Sequence, residues 1–93
     1  MDDNLPFVIV RTYSAGVHMG FLESHFQTVV VLRNARRLWS WAGAFTLHEV
    51  SSEGVSDESR ISAAVDSITL TQAIEIIPCT KKAEKNLMKS RNG

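Results

Sequence analysis

The chain carries a single cysteine, Cys79, in 93 residues, so no intrachain disulfide can staple it. Two prolines and five glycines are too few for a collagen-like or low-complexity chain. Charge of one sign is also lacking. Ten basic and ten acidic side chains cancel, which excludes coating of nucleic acid through bulk positive charge. No apolar run approaches the roughly 20 residues that span a bilayer, so no membrane partner is expected. The opening Met1-Asp2-Asp3-Asn4 is acidic, unlike a signal peptide. His18, His25 and His48 show no metal-ligand spacing, and one cysteine cannot supply a zinc quartet. Neither a Gly-rich phosphate loop nor a nucleophile elbow occurs, and Glu49, Asp66 and Glu75 are scattered. The expectation is a protein that is not an enzyme, with no cofactor and no metal. An apolar fraction of 44% with 22% charged residues is globular composition, read as a single domain over residues 1–93 with flexible ends at 1–5 and 90–93.

β-Branched and aromatic residues dominate 6–13, which reads as a strand, turned at Ser14-Ala15-Gly16 into a return strand over 17–22. Residues 28–33 form a third strand, and Asn34-Ala35 reads as a tight turn into a fourth over 36–41. Thr46-Leu47-His48-Glu49 has capping-box spacing and opens a short helix that Gly54 ends. Residues 55–60 are loop-like, strands follow over 67–71 and 73–77, and Thr80 caps a last helix over 81–89. The fold class is β-rich α+β. We expect a twisted antiparallel sheet of about five or six strands, barrel-like or a sandwich, with one short middle helix and a C-terminal helix.

Three strand segments, 7–10, 29–32 and 74–77, are apolar on both faces. A sheet with one wet face would alternate, so each of these needs cover on two sides. A domain of this size buries only roughly 60–65% of its unfolded surface, and the two helices supply little cover. The sequence therefore predicts a homo-oligomer, against the alternative of a closed barrel or small sandwich that absorbs the same residues alone.

The functional candidates cluster in Arg33-Asn34-Ala35-Arg36-Arg37-Leu38-Trp39-Ser40-Trp41. In an extended chain Arg37, Trp39 and Trp41 share one face, and Arg36, Leu38 and Ser40 the other. Indoles beside a guanidinium offer a stacking wall and a forked anion donor, which a nucleotide needs together. Arg11 and Tyr13 would repeat the theme from the first strand, with Thr12, Ser14 and His18 as small polar donors. The competing reading has the tryptophans as core or interface anchors and the arginines paired with Glu49, Glu53 or Asp66.

The strings Val8 to His18, Ala35 to Ala44 and Ala73 to Thr80 resemble a family of small tailed-bacteriophage proteins, a similarity that covers about residues 8–80. The resemblance implies a phage origin, and hence action in the host bacterial cytoplasm, without implying a reaction. Much more weakly, the opening Phe7 to Gly20 is similar to the ring-forming tryptophan-activated RNA-binding attenuator. By analogy with small phage proteins that sequester the signals of antiviral defence, the expected function is binding of a small anionic nucleotide, cyclic or ADP-ribose-like. Single-stranded nucleic-acid binding and a structural or host-protein-binding oligomer are the alternatives.

Overall fold

A computed structural model of the chain describes residues 5–40, 46–56 and 59–89. Strand β1 (Phe7–Thr12) places Phe7 and Ile9 on one face and Val8 and Val10 on the other, and all four are buried. It pairs antiparallel with β2 (Val17–Phe26), which pairs in turn with β3 (Val29–Ser40). Helix α1 (Leu47–Glu53) follows, then the two-residue β4 (Arg60–Ile61), β5 (Val65–Leu70), β6 (Ala73–Pro78) and α2 (Lys81–Leu87). The expected α+β class holds: a six-stranded antiparallel sheet with a short middle helix and a C-terminal helix.

The boundaries differ in places: β2 runs on to Phe26, past the end expected at 22, and β4 forms at 60–61 where a loop was expected to end. The tight turn expected at Asn34-Ala35 is a bulge inside a single strand of 12 residues. Asn34 takes φ 52°, and Asn34 with Ala35 stands opposite Gly20 alone. Asparagine tolerates left-handed backbone in turns and bulges alike, so its presence did not choose between them. A Cβ on Gly20 would lie 2.9 Å from the Arg33 carbonyl oxygen, which is why the residue facing the bulge is glycine.

The sheet runs β4-β3-β2-β1-β6, with β5 beside β3 on the same side as β4. Strands β5 and β6 are separated only by Thr71 and Gln72, yet lie on opposite edges, next to β3 and β1. Four strand spacings of a flat sheet cover about 19 Å. Three residue steps reach about 11 Å at most. The sheet must therefore curl until its edges meet at this link, where Tyr13 N–H donates to the Gln72 carbonyl at 2.9 Å and Ala73 N–H to that of Thr28 at 3.0 Å. No ladder joins β5 to β6, so the barrel-like curl stays open.

This curl answers the two-sided strands. Val8, Val10, Val30, Leu32, Ala35, Leu70 and Ala73 pack together inside it. On the outer face, Phe7, Ile9, Met19, Phe21, Leu38 and Ile77 are covered by Val50 of α1 and by Ala83 and Leu87 of α2. The expectation that the helices give too little cover is corrected for β1 and β2: Ile9 and Met19 are fully buried beneath them, and Val10 and Leu32 are fully buried inside the curl. Both faces of β1 are thus buried within one chain. The second and third apolar segments depart from two-sided burial, for Val29 and Ile74 are exposed, the latter on the edge strand β6.

The helices end where local chemistry dictates. Thr46 Oγ1 accepts from Glu49 N–H at 3.2 Å and Thr80 Oγ1 from Ala83 N–H at 3.1 Å, the side-chain caps expected. Gly54 closes α1 with φ 83° and ψ −160°, a region open in practice to glycine alone. A Cβ there would fall 2.4 Å from Asn86 Cγ, and Asn86 Oδ1 accepts from Val55 N–H at 2.8 Å. Gly54→Ala is expected to cost about 2–4 kcal/mol, from backbone strain plus the displaced Asn86 bond, measured by urea denaturation.

Candidate functional site

Alternation along β3 resumes after the Asn34 bulge with its phase reversed. Val30 and Leu32 face the inside of the curl before the bulge, and Ala35 does so after it. Arg37 and Trp39 follow in step with Ala35, while Arg36 and Leu38 face the helices. The sequence reading of which residues share a face holds for Arg37 with Trp39 and for Arg36 with Leu38, and it sets the two neighbouring arginines to different tasks.

Arg36 is a structural residue. Its Nη1 donates to the carbonyls of Leu87 at 2.9 Å and Lys89 at 2.7 Å, and its Nε to that of Ser62 at 2.7 Å. It satisfies the exposed end of α2 and fixes the break between β4 and β5, so it is not available to hold a phosphate.

Arg37 stands over the Trp39 ring, with its guanidinium carbon 4.8 Å from the ring centroid. Its Nη2 donates to the Ala15 carbonyl, and among the described residues no carboxylate forms an ion pair with it. A Cβ on Gly16 would lie 3.3 Å from Arg37 Nε and Nη2, so glycine in the β1–β2 turn leaves the guanidinium its space. The backbone of Arg37 is fixed by Ser62, whose Oγ accepts from the Arg37 N–H at 2.8 Å and whose N–H donates to the Arg37 carbonyl at 2.9 Å.

His18 sits directly across β2 from Arg37 and on the same face. Its Nε2 lies 2.9 Å from the Ala15 oxygen that Arg37 also engages. A carbonyl only accepts, so Nε2 carries the proton and Nδ1 is the bare nitrogen. Burial and, less strongly, the Arg37 charge hold its pKa below the ordinary histidine value, against the opposing Ala15 bond. At neutral pH it is uncharged.

These groups border a cleft of 390 Å³ lined by His18, Arg37, Trp39, Ser62, Val65 and Ile68 among others. Its volume falls near the lower end of the range of about 300–1,000 Å³ typical of small-molecule sites. Trp39 stands 59% exposed at its margin, where a planar ring can reach it. Ser62, Val65 and Ile68 were missed in the sequence. Ser62 comes from the irregular join of β4 to β5, where Ser62-Ala63-Ala64 interrupts two strand segments that both pair with β3, and Val65 and Ile68 come from β5 itself.

The other candidates lie elsewhere. Arg11 faces the helix side and pairs with Glu75 at 3.3 Å, and Arg33 pairs with Glu23 at 3.4 Å, both at the surface. These are not the carboxylates expected as partners. Tyr13 falls in the turn after β1, 79% exposed, and Ser14 Oγ donates to Gln72 Oε1 at 2.8 Å. Trp41 lies outside the described residues. Cys79 is half-buried, its thiol pushed up to about 12 chiefly by burial, which makes it a poor nucleophile. Among the described residues no cluster of three or more His, Cys, Asp or Glu could hold a metal, and no helix is long and apolar enough to cross a membrane.

Fold and site define a small α+β domain whose open, curled sheet carries a cleft bordered by the Trp39 indole and by the Arg37 guanidinium, which has no carboxylate partner among the described residues. The chain belongs to the family described as a domain of unknown function (DUF6948), which matches residues 5–87. No curated protein and no solved structure matches it. The family description assigns no activity and carries no link to phage.

Proposed function

We propose that this chain binds a small anionic nucleotide in the Arg37–Trp39 cleft and does not turn it over. The observation that carries the reading is Arg37, a cation without a carboxylate partner among the described residues, stacked on an exposed indole at the margin of a cavity. Arg37 would hold the phosphate and Trp39 would stack the base. The resemblance to tailed-bacteriophage proteins supports an immune signal as ligand, cyclic or ADP-ribose-like, sequestered in the host bacterial cytoplasm. Among the described residues the cleft offers one indole, so we place a ligand with several bases between copies in a homo-oligomer.

Isothermal titration against cyclic mono- and oligonucleotides and ADP-ribose derivatives tests this. A partner is expected to bind below about 10 μM, roughly 7 kcal/mol, and to be recovered unchanged by chromatography. Arg37→Ala is expected to weaken it about 10- to 100-fold, the worth of a hydrogen bond to a charged group, and Trp39→Ala by a similar factor through lost stacking. No binding by any member of the panel would sink the proposal. Affinity that climbs with oligonucleotide length and collapses with salt would select single-stranded nucleic acid instead.

A further inference from the structure

Arg37 is one cation, and a phosphate in a half-buried cleft is better held by two. Among the described residues that line the cleft, His18 is the one that can become a second cation facing Arg37. We propose that His18 is a proton-coupled binding residue, taking up a proton on Nδ1 when an anion enters beside Arg37 and donating that new N–H to the ligand. The inference rests on the nucleotide-binding reading above and names how that site is controlled.

The geometry supports it in three ways. His18 borders the same cleft as Arg37 and is only 5% exposed, so its state is decided by the cleft and not by bulk solvent. Its Nε2 is already committed to Ala15, and no partner is found for Nδ1 among the described residues. A bare Nδ1 lone pair repels an anion oxygen, whereas Nδ1–H bonds it. Third, among the described residues the surroundings hold nothing else that could answer the charge. From β3 the facing charge is Arg37, since Arg36 turns its guanidinium to the carbonyls of Ser62, Leu87 and Lys89. β1 contributes Val10, β5 contributes Val65 and Ile68, and the join before β5 contributes Ser62 and Ala63, none of them titratable.

The sign follows from linkage. In the free protein, burial and Arg37 keep His18 neutral at pH 7. Burial, the larger influence, persists when a ligand enters, but the negative charge beside Nδ1 favours the imidazolium and offsets the smaller Arg37 repulsion, so binding takes up a proton. Affinity must then rise as pH falls toward and below the ordinary histidine value of about 6.5, by as much as about tenfold per pH unit.

The probe is adenosine 3′,5′-cyclic monophosphate, whose single phosphodiester does not titrate between pH 5 and 8. It would be titrated into the full chain across that range, in buffers of different ionisation enthalpy. Uptake approaching one proton per ligand is expected, together with affinity that rises on acidification. In His18→Gln the side-chain N–H can still serve Ala15, and the dependence of affinity on pH is expected to be lost together with the proton uptake. The imidazole resonances of the unaltered protein provide a direct reading, with the His18 titration displaced upward by saturating probe. Binding without proton uptake, or an unmoved His18 titration, overturns this proposal and leaves the nucleotide site standing. If no nucleotide of the panel binds, both fall together.

Discussion

Arg36→Ala is expected to remove about 3–5 kcal/mol of folding stability, while Arg37→Ala one position along costs under about 1 kcal/mol. The two side chains are the same, and so is their immediate sequence. The difference lies in the face each occupies. Arg36 is nine-tenths buried and donates to three carbonyls, those of Ser62, Leu87 and Lys89. Hydrogen bonds to a charged donor contribute about 1.5–3 kcal/mol each, and truncation leaves the buried acceptors without partners. Three such bonds do not add in full, because the end of α2 can fray into water and recover part of the loss. Even so, the cost approaches half of the stability of about 5–10 kcal/mol expected for a domain this size. Arg37 makes one solvent-exposed side-chain bond to a turn carbonyl, which water replaces on truncation, and a cation–π contact worth about 0.5–1 kcal/mol. Urea denaturation of both variants checks this. Equal midpoints would show that Arg36 does not hold α2 to the sheet. The pair also separates stability from recognition: the same two substitutions should rank in the opposite order in the nucleotide titration.

Much of the fold was legible because its signals are short. Thr46 with Glu49, Thr80 with Ala83, Gly54 and Gly16 each act within about four residues, and each does what its local chemistry prescribes. The apolar segment Phe7 to Val10 announced that both faces of β1 must be buried, and they are. What covers them was not legible. The inner cover is the sheet itself, brought round by the two residues between β5 and β6, and nothing in the sequence of Thr71-Gln72 records that the strands on either side belong to opposite edges. The outer cover comes from Val50, Ala83 and Leu87, and a thin apolar set suffices because it docks on a narrow, curled surface. The site divides in the same manner. Alternation placed Arg37 with Trp39, but the carboxylates that occupy Arg11 and Arg33 come from pairings the local pattern does not encode, and the Ala15 oxygen shared by His18 and Arg37 is backbone, with no sequence signature.

Deletion of Asn34 is expected to lower folding stability by about 2–4 kcal/mol without changing which residues share a face of β3, whereas Asn34→Gly leaves stability within about 1 kcal/mol of the original. The side chain of Asn34 matters little, because glycine adopts its φ of 52° at no steric cost. Its presence matters because the two edges of β3 run in different registers. Against β2 one residue is extra, with Arg33 opposite Phe21 and Arg36 opposite Met19, while against β5 there is no shift, with Arg33 opposite Ser67 and Ala35 opposite Val65. Without Asn34 the ladder to β2 becomes regular: Ala35 takes the place opposite Gly20, and Ala35, Arg37 and Trp39 stay on the inner face. The other edge then slips by one residue, so Ala35 loses its place opposite Val65, Leu38 its place opposite Ile61, and Ser62 the Arg37 backbone it brackets. Ladder and side-chain hydrogen bonds there contribute roughly 0.5–1.5 kcal/mol each, and re-pairing recovers part of the loss. The deleted chain should therefore keep a cooperative urea transition at a lowered midpoint. A midpoint equal to the original would mean that the extra residue does not hold β3 in register with β4 and β5.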